Sequence, residues 1–229
     1  MKVLALGAHP DDIEIFMYGL LSIYKKEGYE VYTIIATDGA KGGEITDDKL
    51  VEQRAHETIN GLKKLSSPIF LNLPDGELGA LSKYRKILKE SIFKIMPDLI
   101  ITHSENDYHA DHKSLSLLTQ GAVSHYIPIL YCDTLMGINF NPDYYFDITE
   151  YFDLKKKAIM KHRSQNPKRF VDLSELMNSY RAAQCNAPKG MYAEAYNFKP
   201  SFPFSDIRDI LPKAIQLRPF DIKSHHGFL

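Results

Sequence analysis

Two continuously apolar runs near the start of the chain, Val3-Leu4-Ala5-Leu6-Gly7-Ala8 and Val31-Tyr32-Thr33-Ile34-Ile35-Ala36-Thr37, constrain the fold most. Each has the length and composition of a strand buried on both faces. Between them Ile15, Phe16, Leu20, Leu21, Ile23 and Tyr24 recur at helical spacing until Glu27-Gly28, predicting a helix over 13–27. A strand, a helix and a strand at this spacing close as a parallel, right-handed crossover. The alternation continues. Residues 49–65 and 82–96 read as helices, the second stopped by Pro97, and 68–73 as a strand ended by the turn Pro74-Asp75-Gly76. Strands follow at 98–102, 129–133 and 144–148, and helices at 113–124, 150–163 and 172–184. Beyond Pro188 proline and aromatics accumulate, and no regular element is assigned. The expected fold is a single Rossmann-like α/β domain over residues 1–196, its mostly parallel sheet flanked by helices. Residues 197–229 are expected as an irregular arm packed on that domain, because their Phe side chains suit a solvated tail poorly.

Composition narrows the partners. Lys plus Arg number 28 against 29 Asp plus Glu, so no global field favours nucleic acid or an anionic membrane. No apolar segment approaches the roughly 18 residues of a membrane span, and the N-terminal run is too short for a secretion signal. The expectation is a cytoplasmic protein acting on a small molecule. Cys132 and Cys185 form no CxxC pair, so both are expected as buried apolar residues and not as thiolate ligands or a disulfide. Ser224-His225-His226-Gly227 is expected as a disordered end.

Chemistry concentrates in two places. His9-Pro10-Asp11-Asp12-Ile13-Glu14 fills the turn from the first strand into its helix. Pro10 suits a first helical turn, and either aspartate could cap the free amides. Capping needs one carboxylate, however, and leaves His9 and the other aspartate unexplained. The second concentration, His103-Ser104-Glu105-Asn106-Asp107-Tyr108-His109-Ala110-Asp111-His112, follows the strand at 98–102. Parallel topology brings both to the carboxyl edge of the sheet, where α/β folds bind ligands. A glycine-rich loop, Thr37-Asp38-Gly39-Ala40-Lys41-Gly42-Gly43-Glu44, reaches the same edge but lacks the spacing of a phosphate loop or dinucleotide fingerprint.

Two imidazoles and one carboxylate with an open position make a catalytic zinc site. Zinc would polarise a carbonyl and bring the pKa of its water towards about 7. A remaining carboxylate can take the proton, and a remaining histidine can serve an oxyanion or a leaving group. His109 and His112, three apart, could both face the site, so spacing leaves the ligand open. Arg54 and Glu57 share a helix face, and a surface ion pair is the expectation there.

Ala8-His9-Pro10-Asp11-Asp12-Ile13-Glu14 with His109-Ala110-Asp111-His112 resembles the signature pair of the PIG-L/LmbE-like deacetylases, zinc enzymes that remove the acetyl group from N-acetylglucosamine derivatives. The similarity extends through Thr37-Asp38-Gly39, Gly42-Gly43, Arg54 with Glu57, Leu73-Pro74-Asp75-Gly76, His162-Arg163-Ser164-Gln165 and Ala193-Glu194-Ala195. The resemblance implies that His9, Asp12 and His112 bind zinc, with ferrous iron as the cellular alternative, and that Asp11 is the general base. It implies that His109 is the charged histidine serving oxyanion and leaving amine, tuned by Asp111. Arg54, Asp75 and Tyr192 are placed with the substrate, Arg54 on its hydroxyl or phosphate side and Tyr192 as a mobile tyrosine. Gly39-Ala40-Lys41 and Asp107 depart from the family pattern, and both bear on the substrate. The family and the aromatic arm together suggest a homo-oligomer.

The expected reaction is hydrolysis of the acetamide of an N-acetylglucosamine-type sugar or its conjugate, giving acetate and a free amine. Two competitors stand beside it. Two histidines and a carboxylate also form the facial triad of non-haem iron oxygenases, which gives Asp11 no role. A non-catalytic sugar-binding module could use the same fold. The aglycone is left open.

Overall fold

The computed structural model of the chain describes residues 1–43 and 48–216. Strands β1 (Lys2–Gly7), β2 (Glu30–Thr37), β3 (Ile69–Leu73), β4 (Leu99–Thr102), β5 (Ile129–Cys132), β6 (Tyr144–Asp147) and β7 (Ala193–Phe198) form one sheet. Its order is β3-β2-β1-β4-β5-β7-β6. The pairings from β3 through β5 are all parallel, while β7 lies antiparallel to both β5 and β6. Helices are α1 (Asp12–Phe16), α2 (Tyr18–Lys26), α3 (Asp48–Leu62), α4 (Leu81–Ile95), α5 (Ala110–Val123), α6 (Phe152–Ile159) and α7 (Pro167–Gln184).

The apolar runs of β1, β2 and β4 are explained by cover on both sides. Alternate residues face opposite layers. Val3, Ala5, Ile35 and Ile101 pack with side chains of α1, α2, α6 and α7. Leu4, Leu6, Ile34 and Ile100 pack with α4 and α5. The chain leaves β1 for β2 on one side, and β4 lies on the other. The carboxyl ends of β1 and β4 therefore flank a topological switch point, where loops separate and leave a crevice.

Several boundaries differ from expectation for physical reasons. The helix expected over 13–27 breaks at Met17 (φ −131°, ψ −7°), where a buried carboxylate takes over the amides of the next turn. Glu194 Oε1 accepts from Gly19 N at 2.9 Å and Oε2 from Leu20 N at 2.8 Å. Helix α5 begins at Ala110, earlier than the expected 113, because His109 caps it. Helix α7 begins at Pro167 and not at 172, with proline in its first turn, where no amide donor is needed.

The largest correction is β7. Residues 193–198, read as unassigned, form a strand inserted between β5 and β6. It runs past residue 196, so the irregular arm starts at Lys199. The described part of it, residues 199–216, makes contacts with the rest of the chain. Ile207 and Ile215 are buried, and Tyr24 Oη donates to Ile210 O at 3.0 Å. The histidine-bearing end at 224–227 lies outside the described residues. Both cysteines are free, but only Cys132 is buried; Cys185 is partly exposed. No helix among the described residues is long and apolar enough to cross a membrane.

Candidate metal centre and active site

The turn after β1 puts Asp11 at φ 120° and ψ −24°. A non-glycine residue there costs about 1–3 kcal/mol, so the surroundings must hold it. Asp11 occupies the N-cap position of α1 yet makes no side-chain capping bond, which sets the capping explanation aside for it. The Asp12 carboxylate turns back instead, and its Oδ2 accepts from His9 N at 2.7 Å.

Asp12 is the hub. His112 Nε2 lies 3.2 Å from Asp12 Oδ1, and His9 Nδ1 lies 3.4 Å from Oδ2. The other nitrogen of each ring is already engaged. His9 Nε2 faces Asp75 Oδ1 at 3.2 Å and Asp111 Oδ2 at 3.3 Å, and His112 Nδ1 faces Asp107 Oδ2 at 3.0 Å. Such outer carboxylates fix the tautomer and orientation of metal-binding imidazoles. One nitrogen of each ring is thus left pointing at Asp12. His103, fully buried, stacks on His112 with ring centroids 3.7 Å apart, and its Nε2 lies 3.1 Å from Asp12 Oδ2. Asp12, His103 and His112 can present ligand atoms within 4.8 Å of one another, as can His9, His109 and His112.

The electrostatics agree with a site built for positive charge. Burial opposes ionisation of both His9 and His112, but their carboxylates prevail. Asp111, Asp12 and Asp75 hold His9 well above its ordinary pKa, and Asp12 and Asp107 raise His112 to about 9. Burial likewise opposes the charged form of Asp12, yet His112 and His103 hold it well below the carboxylate range. Asp11 behaves oppositely. Burial pushes it up to about 6, against the pull of Arg54 and with the push of Asp12. A carboxylate so poised is a candidate proton acceptor near neutrality.

His109 accepts from Asp111 N at its Nδ1, 3.3 Å away, which in the neutral ring leaves the proton on Nε2. Burial, then the charges of His9 and His112, lower its pKa. The Asp111 carboxylate acts on it by charge and not by a hydrogen bond. Its oxygens take Gly76 N at 2.7 Å and Leu78 N at 3.2 Å as well as His9. Asp111 therefore bonds His9 directly, and it reaches His109 through its amide and through its charge, which works against the lowering of that ring's pKa.

Arg54 is buried, not a surface partner of Glu57. Its Nη1 donates to Gly39 O at 2.8 Å, its Nη2 to Pro10 O at 2.7 Å, and Nη2 lies 3.4 Å from Asp11 Oδ2. Glu57 takes Ser164 N and Oγ at 3.0 and 2.6 Å instead, fastening the loop that carries Gln165. A cavity of about 320 Å³ opens over His9, Asp11, Asp12, His109 and His112, with Arg54 and Asp75 in its wall. Tyr192 is not among its lining residues. Its ring stacks on Phe152 at 3.7 Å and its hydroxyl donates to Glu175 Oε1 at 3.2 Å. Sequence reasoning gave no role to His103, to the Asp107 carboxylate behind His112, or to the buried Glu14–His162 pair at 2.8 Å. The available signal for His103 was its place directly after a fully buried strand.

Histidines and carboxylates able to hold a cation at the carboxyl edge of a parallel sheet, with further ionisable groups in the same cavity, are equipment suited to metal-assisted hydrolysis. Residues 4–123 match the family model PIG-L, GlcNAc-PI de-N-acetylase. The chain belongs to that family. It is 28% identical over 225 residues to the diacetylchitobiose deacetylase of Thermococcus kodakarensis, covering 87% of this chain and 83% of the relative. The solved N,N'-diacetylchitobiose deacetylase of Pyrococcus horikoshii superposes with a TM-score of 0.75 at 25% identity, covering 87% of this chain and 84% of that one. GalB, the 4-carboxy-2-hydroxymuconate hydratase of Pseudomonas putida KT2440, superposes with a TM-score of 0.76 at 20% identity, over 95% and 99% of the two chains. At that identity the likeness shows the fold alone.

Proposed function

We propose that the protein hydrolyses the acetamide of an N-acetylglucosamine-type sugar or its conjugate, releasing acetate and a free amine. The observation that carries this reading is the division of labour around Asp12. His9 and His112 each turn one nitrogen towards it, while Asp11 stands at the same cavity outside every such ligand group, and His109, which could also join His9 and His112 around a cation, is assigned here to proton transfer. His9, Asp12 and His112 would hold a divalent cation, zinc or ferrous iron, which would supply Lewis acidity and make water more acidic at neutral pH.

The chain's own groups do the rest. Asp11, ionised above about pH 6 and oriented by Arg54, takes a proton from the attacking water. The Nε2–H of His109 donates to the oxygen that gains charge as the carbonyl carbon becomes tetrahedral. The proton that Asp11 took from the water is delivered by way of His109 to the nitrogen as the C–N bond breaks, so Asp11 ends ionised and His109 neutral, as they began. Asp75 and Asp111 keep His9 from rotating, and Asp107 does the same for His112. Arg54, tied to Gly39 O and Pro10 O, shapes the wall that takes the sugar. About 320 Å³ suits a pyranose with a small aglycone, in the lower part of the usual range for ligand sites.

Two features support hydrolysis of an N-acetyl group over the competitors. Oxygenase chemistry leaves Asp11 idle, and a binding module has no use for a strained carboxylate raised towards neutrality. The test is acetate release from a panel of N-acetylglucosamine conjugates, using chelated protein with and without added zinc. Metal-dependent release is expected. Water addition to an unsaturated carboxylate without acetate release would replace this reading with a hydratase. Sugar binding by metal-replete protein without turnover would replace it with a binding module.

A further inference from the structure

A second concavity lies in the layer formed by α2, α3 and α6, and its wall is basic. Lys63, Lys64, Lys156, Lys157 and Lys161 line a cavity of about 390 Å³. A neighbouring cavity of about 230 Å³ shares Tyr18, Lys64 and Leu154 with it and adds Lys25 and Lys26. No Asp or Glu among the described residues lines either one. Lys26 is paired with Glu150 at 2.7 Å and Lys156 with Asp153 at 2.9 Å. The other five ammonium groups have no hydrogen bond or ion pair with a described residue. Residues 44–47 adjoin the far end of the 15-residue α3, about 22 Å from Lys63 by helix rise. Residues 217–229 set one carboxylate side chain, Asp221, against Arg218 and Lys223, so they carry no surplus of negative charge.

Helix ends account for part of the cluster. Here α2 ends at Lys26, α3 at Leu62 and α6 at Ile159, and lysine is an ordinary complement to a helix C-terminus. Each terminus presents only about half a negative charge, which leaves several positive charges unbalanced in a chain whose net charge is −1. Tyr18 is an independent sign of a ligand. The residue is 2% exposed and lines both cavities, yet its hydroxyl has no hydrogen-bond partner among the described residues. Buried tyrosine hydroxyls ordinarily have one, and lysines only donate, so the cavity is rich in donors and short of acceptors. It is also separate from the metal centre, with no lining residue in common. The buried Glu14–His162 pair stands between them. Gly61 and Lys161 line the basic cavity, Glu14 Oε1 fills the space that a Cβ on Gly61 would need, and His162 follows Lys161.

We propose that this lysine-walled cavity is a second binding site and that it takes a small molecule carrying two or more linked phosphate groups. An ammonium is a compact point charge, which phosphate oxygens satisfy without the planar geometry that arginine demands. A single carboxylate neutralises one lysine, whereas a diphosphate brings several charges to one place. The concave shape and the volume are those of a small-molecule site. Leu65, Leu154 and Met160 supply apolar surface for the group that the phosphates carry.

The probe is inorganic pyrophosphate, with orthophosphate as the less charged comparison. Both are titrated by calorimetry, at fixed ionic strength, into metal-stripped protein and into zinc-loaded protein with zinc alone as the blank. Pyrophosphate should bind at least about tenfold more tightly than orthophosphate, with the same affinity in both forms of the protein, and should weaken as salt is added. Lys63→Ala/Lys157→Ala should weaken it by about tenfold or more. Lys89→Ala/Lys94→Ala, which removes the same charge from α4 on the other face of the sheet, should leave it unchanged. All four lysines are exposed, so both variants are expected to fold. Equal binding of the two anions, or equal losses in the two variants, would reduce the cluster to general surface charge and overturn the proposal. Binding that requires zinc would place the anion at the metal centre and overturn it as well. No arm of the test depends on acetate release, so the site stands or falls apart from the deacetylase reading.

Discussion

Replacing Asp11 by asparagine separates what this residue does for the reaction from what it costs the fold. The side chain is almost fully buried, and burial raises its carboxyl from 3.8 to about 6. A carboxylate whose folded pKa is raised stabilises the folded state only while protonated. Stability is present below the unfolded value and is lost as pH rises through the folded one. One pKa unit is about 1.4 kcal/mol, so ionised Asp11 costs the folded protein about 3 kcal/mol at pH 8. Asparagine keeps the shape, tolerates positive φ and carries no charge to bury. It also gives up the 3.4 Å contact with Arg54, worth about 1 kcal/mol, while Arg54 retains both carbonyl partners.

The expected result is that metal-free Asp11→Asn is more stable than wild type by about 2 kcal/mol at pH 8. The advantage vanishes towards pH 4 and grows between about pH 4 and 6. Urea unfolding in chelator at several pH values measures it, since titrating groups that do not feel the charge of Asp11 are common to both proteins and cancel in the difference. The same variant, loaded with zinc, should lose about 10²–10⁴ in kcat through loss of the proton acceptor. A stability difference that is flat with pH, or a variant less stable than wild type at pH 8, would refute the argument that Asp11 is held ionised at the expense of the fold.

The parallel half of the fold was legible because its strands are short, mainly apolar and separated by helical segments. That pattern exists because β1, β2 and β4 are covered on both faces. Strand β7 was not legible for the opposite reason. Ala193-Glu194-Ala195-Tyr196-Asn197-Phe198 places a charged residue at a fully enclosed position, which no local pattern recommends. What makes Glu194 acceptable is distant, namely Gly19 N and Leu20 N some 175 residues earlier and the buried Lys155 ammonium. The break at Met17 has the same cause. The helical periodicity of 13–27 is sound, but it cannot know that a carboxylate from the other end of the chain will take the amides of its second segment.

The site divides along a similar line. His9, Asp11, Asp12, His109 and His112 could be grouped from sequence because two polar concentrations follow two strands that topology makes neighbours. The supporting contacts could not. Whether Asp111 serves His109 or His9 depends on where the Pro74-Asp75-Gly76 turn delivers Gly76 N, a matter of folding and not of spacing. Arg54 and Glu57 face the same way on α3, yet they diverge because Asp11 lies beside one and the Ser164 loop beside the other. His103 gains meaning only once the stacked ring of His112 lies against it.

Two further perturbations test these distant supports. Asp107→Ala should weaken zinc affinity by about 10–100-fold, measured by competition with a chromogenic chelator, because His112 loses the partner that fixes its tautomer; an affinity within twofold of wild type would show that Asp107 does not orient the ring. Glu194→Gln addresses the fold. Lys155 Nζ, with no exposure to solvent, lies 2.8 Å from Glu194 Oε1 and 2.9 Å from Asn178 Oδ1, so neutralising Glu194 leaves a buried cation without a counter-charge. Breaking such a pair costs about 3–5 kcal/mol, which for a chain of this size lowers Tm by about 6–20 °C. Removing both charges in Glu194→Gln/Lys155→Met should return much of that loss, because the cost lies in the orphaned ammonium and not in the missing attraction. If the double variant melts as low as the single one, the role of Glu194 in holding Gly19 and Leu20 at the start of α2 outweighs its pairing with Lys155, and β7 is anchored by the helix amides and not by the buried charge.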